Sequence, residues 1–220
     1  MKPWVQLARA RAEGGGELTL HRRDDELVIR VDGHELMTTR RHASEERLAE
    51  LGCRGLATAA PCVLVGGLGL GFTLRAALNT VGARGTVVVA EISADLVAWN
   101  RELLGPAAAT TLADPRVRVH VGDVGELMRA PDSFDAILLD VDNSPHALTR
   151  PANAALYVAA GLSRARRTLR PGGRLAVWSA GRYPAFERRL AATGFTVEVH
   201  TAHARGARGG TPYTIYLGHL

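Results

Sequence analysis

The stretch Pro61-Cys62-Val63-Leu64-Val65 runs into Gly66-Gly67-Leu68-Gly69-Leu70-Gly71, an apolar strand-like run that empties into four glycines within six residues. A second apolar run, Thr86-Val87-Val88-Val89-Ala90, follows one helix-length segment later and stops on Glu91. Strand, glycine-rich turn, helix, strand and terminal acid is the layout of the nucleoside-binding half of a doubly wound α/β sheet. Its glycines permit positive φ and close backbone approach to a ligand, and its acid can accept from two ribose hydroxyls.

From Pro61 onward the same alternation continues, as in a parallel sheet covered on both faces. It predicts strands over 62–66, 86–91, 117–121, 135–140, 174–179, 195–201 and 212–218, and helices over 70–80, 93–103, 124–129, 153–169 and 184–193. Arg170-Pro171-Gly172-Gly173 stops the long helix. No helix separates the last two strands, so they form an antiparallel pair joined by the basic loop 203–210. Upstream, Glu17–Arg22 and Glu26–Val31 alternate with period two and predict a small β-hairpin appendage over 1–41, ahead of a main domain over 42–220. Ser44, followed by Glu45 and Glu46, is placed as the N-cap of a helix running to about Leu51, with Gly52 as its stop. The expectation is an α/β, Rossmann-like fold: a mostly parallel seven-stranded sheet with an antiparallel last strand. A chain of 220 residues that is 46% apolar suffices for one such core.

The net charge of +5 comes from arginines spread without a like-charged block. That distribution reads as solvated surface and disfavours nucleic acid as a partner. Cys53 and Cys62 form no C-x-x-C pair and have no metal-ligand spacing, so neither a disulfide framework nor a metal site is expected. The N-terminus lacks the apolar stretch of a signal peptide, and no apolar run has the roughly 18 residues of a membrane span, so the expected location is cytoplasmic.

The glycines read G-x-G-x-G with Phe72 next, which departs from the dinucleotide pattern, and no Gly-Lys-Ser/Thr of a P-loop follows. Later strands also end on acids: Asp123 after Val117–Val121, and Asp140 after Phe134–Leu139. Four strand tips carrying glycine, Glu, Asp and Asp make an acidic crevice that repels phosphates and suits a cationic nucleoside. S-adenosylmethionine meets that demand. Its ribose suits Glu91, its adenine amino group suits Asp123, and its sulfonium tolerates nearby carboxylates.

On these residues the chain resembles the class I S-adenosylmethionine-dependent methyltransferase fold and, within it, the spermidine synthase (polyamine aminopropyltransferase) family. The resemblance runs from about Glu17 to Ala180 and includes Val31-Asp32-Gly33, His42-Ala43-Ser44-Glu45-Glu46, the Gly66–Gly71 loop, Asp140-Val141-Asp142-Asn143-Ser144-Pro145 and Leu169–Gly173. It implies cofactor binding by Gly66, Gly67, Gly69, Gly71, Glu91 and Asp123. Asp140 takes the place of the acid that helps deprotonate the attacking amine, Glu45 falls at the polyamine pocket, and paired subunits, a homodimer, are the family habit. Three departures stand out. Gly69 replaces the aspartate that holds the aminopropyl ammonium, Ala43-Ser44 replaces a Tyr-Gln pair, and the second acid after the strand is displaced to Asp142. Lost counter-charges cost several kcal/mol of binding for a buried cation.

The sequence reading therefore ranks methyl transfer from S-adenosylmethionine to a small-molecule acceptor first. Aminopropyl transfer from decarboxylated S-adenosylmethionine comes next, and a non-catalytic cofactor-binding protein is a further alternative. Asp140 is the expected base, with Asp142 and His146 as alternates. Tyr157 and Trp178 are expected to wall the acceptor pocket, while Arg150 and Asn153 fix the intervening loop.

Overall fold

The computed structural model describes residues 2–12, 15–141 and 153–220. The N-terminal segment folds into β1 (Val5–Arg11), β2 (Glu17–Arg23), β3 (Glu26–Val31) and β4 (His34–Thr38), an antiparallel sheet paired in chain order. The sequence pattern predicts β2 and β3 only. β1 and β4 lack a clean alternation of buried and exposed positions, so no period-two signal marks them. Leu18, Leu20 and Ile29 on one face of this sheet pack with Leu96 and Trp99 of the main body.

There follow α1 (Ala43–Cys53), β5 (Cys62–Gly66), α2 (Phe72–Val81), β6 (Thr86–Glu91), α3 (Ala94–Glu102), α4 (Pro106–Ala113), β7 (Val117–Val121), α5 (Val124–Leu127) and β8 (Phe134–Leu139). After the undescribed stretch come α6 (Ala154–Tyr157), α7 (Ala159–Thr168), β9 (Leu169–Ser179), α8 (Pro184–Ala192), β10 (Thr196–His203) and β11 (Pro212–His219). The main sheet has the order β10-β11-β9-β8-β5-β6-β7. The strands from β9 to β7 run parallel, and β11 is antiparallel to both its neighbours. This is the mostly parallel, seven-stranded Rossmann-like sheet with a reversed last strand that the alternation predicts.

The central strands bury both faces, which explains their unbroken apolar runs. Val63, Val65 and Leu138 face a core with Leu48 of α1 and Leu74 of α2, while Leu64, Ile137 and Leu139 face one with Leu162 of α7 and Phe186 of α8. Each fully buried side chain of this kind contributes roughly 1.5–3 kcal/mol.

Three local expectations need correction, and one helix goes unpredicted. Ser44 is not the N-cap of α1; that position is His42, and Ser44 is buried inside the helix with its hydroxyl donating to Glu45. Gly52 does not stop the helix. A β-carbon there would run into the Leu138 side chain, so the glycine lets α1 press onto the sheet. The helix expected over 153–169 breaks at Val158, whose ψ of 164° is extended and divides α6 from α7. Helix α4 carries no buried residue and so gave no amphipathic signal, although Pro106 stands at its first turn, where a missing N–H costs nothing.

Candidate functional site

The site is assembled where β5, β6, β7 and β8 end together. As β5 ends, the Gly67 N–H donates to the Ala90 carbonyl at 2.8 Å, locking the turn to β6. Gly67 has φ +91°, and a β-carbon there would collide with the carbonyl oxygen of Asp140, so only glycine lets the turn and the β8 tip approach this closely. Gly69, at φ +50°, lies under the Met37 thioether of the N-terminal sheet. Asn100 of α3, 1% exposed, donates through Nδ2 to the carbonyls of Gly69 (2.8 Å) and Leu96 (2.9 Å), tying the turn to a helix behind it.

Glu91 is buried and held at both oxygens: Oε2 accepts from the Leu68 N–H at 2.9 Å and Oε1 from the Ser93 N–H at 2.9 Å. The first of these bonds joins the glycine turn directly to the acid at the end of β6. Asp123 caps α5, its Oδ1 accepting from the Gly125 N–H at 2.7 Å. Asp140 follows β8; its N–H donates to the Gly66 carbonyl at 2.9 Å, and its Oδ2 accepts from the Thr73 hydroxyl at 2.6 Å.

A cavity of about 560 Å³ opens over these groups. Gly67, Gly69, Glu91, Asp123 and Asp140 line it from the strand ends and the turns after them, together with Glu45 of α1, Trp178 of β9 and Tyr213 of β11. Glu35, Met37 and Arg41 bring a further wall from in and beside β4. Among the described lining residues five are acidic, whereas the one Lys or Arg is Arg41, which is ion-paired to Glu35. Burial pushes the Asp140 carboxyl up to about 6, against the Thr73 hydroxyl, which favours the ionised form. Glu45 is raised to about 7, first by burial and then by the charge of Asp140. Two neighbouring carboxyls with raised values hold a proton near neutral pH that isolated acids would have lost.

Glu45, Gly67, Gly69, Glu91, Asp123, Asp140 and Trp178 thus border one cavity, as does Asn153, whose amide donates to the Val141 carbonyl at 3.4 Å. Gly66 and Gly71 frame the turn without lining it. Gly66 ends β5, and Gly71, at φ +80°, is the N-cap of α2. Tyr157 is a correction, because it is buried in the core edge-on to Phe186 (5.9 Å, 83°) and does not line the cavity. The aromatic neighbour of Trp178 is instead Tyr213, at 4.7 Å. Asp142, His146 and Arg150 lie outside the described residues. The sequence reading missed Met37, Thr73, Asn100 and Tyr213. Only Thr73 carried a local signal, since it lies in the first turn of the helix that leaves the glycine turn.

No sequence-family model matches the chain, nor does any curated protein sequence. Solved structures do. A spermidine synthase from Thermotoga maritima superposes with a TM-score of 0.77 at 17% identity, covering 97% of this chain and 72% of that one. A spermidine synthase in complex with the transition-state analogue AdoDATO gives 0.76 at 16% identity, with the same 97% and 72% coverage. A probable spermidine synthase from Corynebacterium glutamicum gives 0.66 at 18% identity, covering 100% of this chain and 81% of that one. Among the described residues no helix is long and apolar enough to cross a membrane. The chain has a spermidine synthase-like fold.

Proposed function

We propose that this chain transfers an aminopropyl group from decarboxylated S-adenosylmethionine to a small amine. The observation that carries the reading is the charge of the cavity: five acids against one guanidinium already paired with Glu35. Methyl transfer, ranked first on sequence, requires the carboxylated cofactor. An added carboxylate about 5 Å from a single ionised acid would cost about 3 kcal/mol at an effective dielectric constant of about 20. The decarboxylated form carries cationic groups only, and so does an amine acceptor before it loses its proton. The three similar structures, all named as spermidine synthases or a probable one, support the same choice.

Glu91, with each oxygen already oriented by a backbone amide, has lone pairs left to receive the ribose hydroxyls. Gly67 and Gly69 present bare backbone beside it, and Asp123 borders the place for the adenine amino group. The bound sulfonium supplies an electrophilic carbon and a neutral thioether leaving group, so the protein's task is alignment more than bond chemistry. Asp140 takes the proton of the attacking amine, and Glu45 and Asp140 together hold the ammonium before that transfer. Trp178 and Tyr213 wall the hydrocarbon part of the acceptor.

The test is turnover. Incubation with decarboxylated S-adenosylmethionine and a panel of aliphatic diamines is expected to release methylthioadenosine and to add one aminopropyl mass to an amine. Formation of S-adenosylhomocysteine with a methylated product overturns the proposal, and so does tight cofactor binding with neither product.

A further inference from the structure

We propose that Thr73 is a positioning residue of this site: its hydroxyl fixes Asp140 through one oxygen and leaves the other oxygen to meet the acceptor amine. The inference rests on the reading of Asp140 as the base. Thr73 is the second residue of α2, 2% exposed, and its Oγ1 reaches Oδ2 of an acid 67 positions away at 2.6 Å. A helical threonine ordinarily donates to the carbonyl four residues back. Thr73 lies in the first turn, where the residue four back, Gly69, precedes the N-cap Gly71 and is outside the helix, and the hydroxyl donates to Asp140 instead. Among the described residues Asp140 Oδ1 has no hydrogen bond.

The surroundings make the contact consequential. The charged groups around the same cavity are Glu45 on α1, Glu91 on β6, Asp123 before α5 and the Glu35–Arg41 pair beside β4, with the Tyr213 hydroxyl from β11. Glu46, behind Glu45, is engaged by Arg75 at 3.4 Å. Burial favours the protonated Asp140, and the Thr73 hydroxyl is the donor opposing it.

The experiment follows the Asp140 carboxyl by carbon-13 NMR titration in the ligand-free wild type, Thr73→Val and Thr73→Ser, with Thr73→Ala replacing valine if that variant does not fold. A hydrogen bond to a charged acceptor corresponds to roughly one to two pH units. The valine variant is expected to titrate higher by about one unit, lowering the ionised fraction near tenfold at acid pH, while serine keeps the wild-type midpoint. The acid limb of kcat/KM for aminopropyl transfer is expected to move by the same amount. Coincident midpoints for valine and wild type overturn the proposal, as does an equal shift for serine and valine. A wild type without aminopropyl transfer but with the shifted midpoint in valine supports the hold of Thr73 on Asp140 and overturns the amine reading instead.

Discussion

Replacing Asp140 by asparagine should make the protein more stable and less active. Its carboxyl is raised from 3.8 to about 6, chiefly by burial. At 1.36 kcal/mol per pH unit, ionising it in the folded state costs roughly 3 kcal/mol, and water in the open cavity reduces this to about 2 kcal/mol. A carboxyl raised on folding favours the native state below its unfolded value near 4, and that contribution is lost as pH rises through about 6. The asparagine of Asp140→Asn keeps an acceptor for Thr73 and carries no charge. At pH 8 the substitution should therefore stabilise by about 2 kcal/mol, or roughly 4–8 °C in melting temperature for a domain of this size. At pH 4 the gain should shrink to about 0.5 kcal/mol, because the wild-type acid is then protonated when folded. Urea unfolding followed by tryptophan fluorescence at both pH values measures this, and the same variant should lose about a hundredfold or more in kcat. A variant less stable than wild type at pH 8, or equally stabilised at both pH values, refutes the argument.

Gly67→Ala should destabilise by at least about 2 kcal/mol in urea titrations, since its β-carbon meets the Asp140 carbonyl at a positive φ. Glu91→Gln keeps an oxygen for one backbone amide but loses the charge. Its affinity for methylthioadenosine by calorimetry should fall about 10–100-fold, with a stability loss of about 1–3 kcal/mol because the new amide NH2 faces the other backbone N–H. Asn100→Ala removes the bond to the Gly69 carbonyl; a loss of about 1 kcal/mol in stability and weaker methylthioadenosine binding are expected, although the side chain does not line the cavity.

What sequence disclosed and what it withheld divide along physical lines. The β5 run, its glycines, β6 and Glu91 are contiguous, and strand periodicity with glycine's backbone freedom encodes them locally. Glu91, Asp123 and Asp140 could be aligned because parallel strands place their carboxyl ends on one edge whatever the tertiary detail. Met37 and Tyr213 belong to elements that reach the cavity only once the N-terminal sheet and the reversed β11 have docked, and no local pattern reports docking. Asn100 reads as an ordinary mid-helix amide until the Gly69 carbonyl is seen beside it. Tyr157 misled for the converse reason, because an aromatic on a helix after an active loop has the same sequence appearance whether it faces ligand or core. Gly52 reads as a helix stop because glycine's backbone freedom is visible in sequence, whereas the side chain it makes room for, Leu138, is not.

If the proposed function is right, the cavity accepts a cationic nucleoside and rejects an added carboxylate. Calorimetric titration of the wild type at pH 7.5 with decarboxylated S-adenosylmethionine and with S-adenosylmethionine tests it directly. The five acids and the engaged Arg41 predict that the decarboxylated form binds about a hundredfold more tightly, the equivalent of about 3 kcal/mol. Equal affinities, or a preference for the carboxylated cofactor, contradict it.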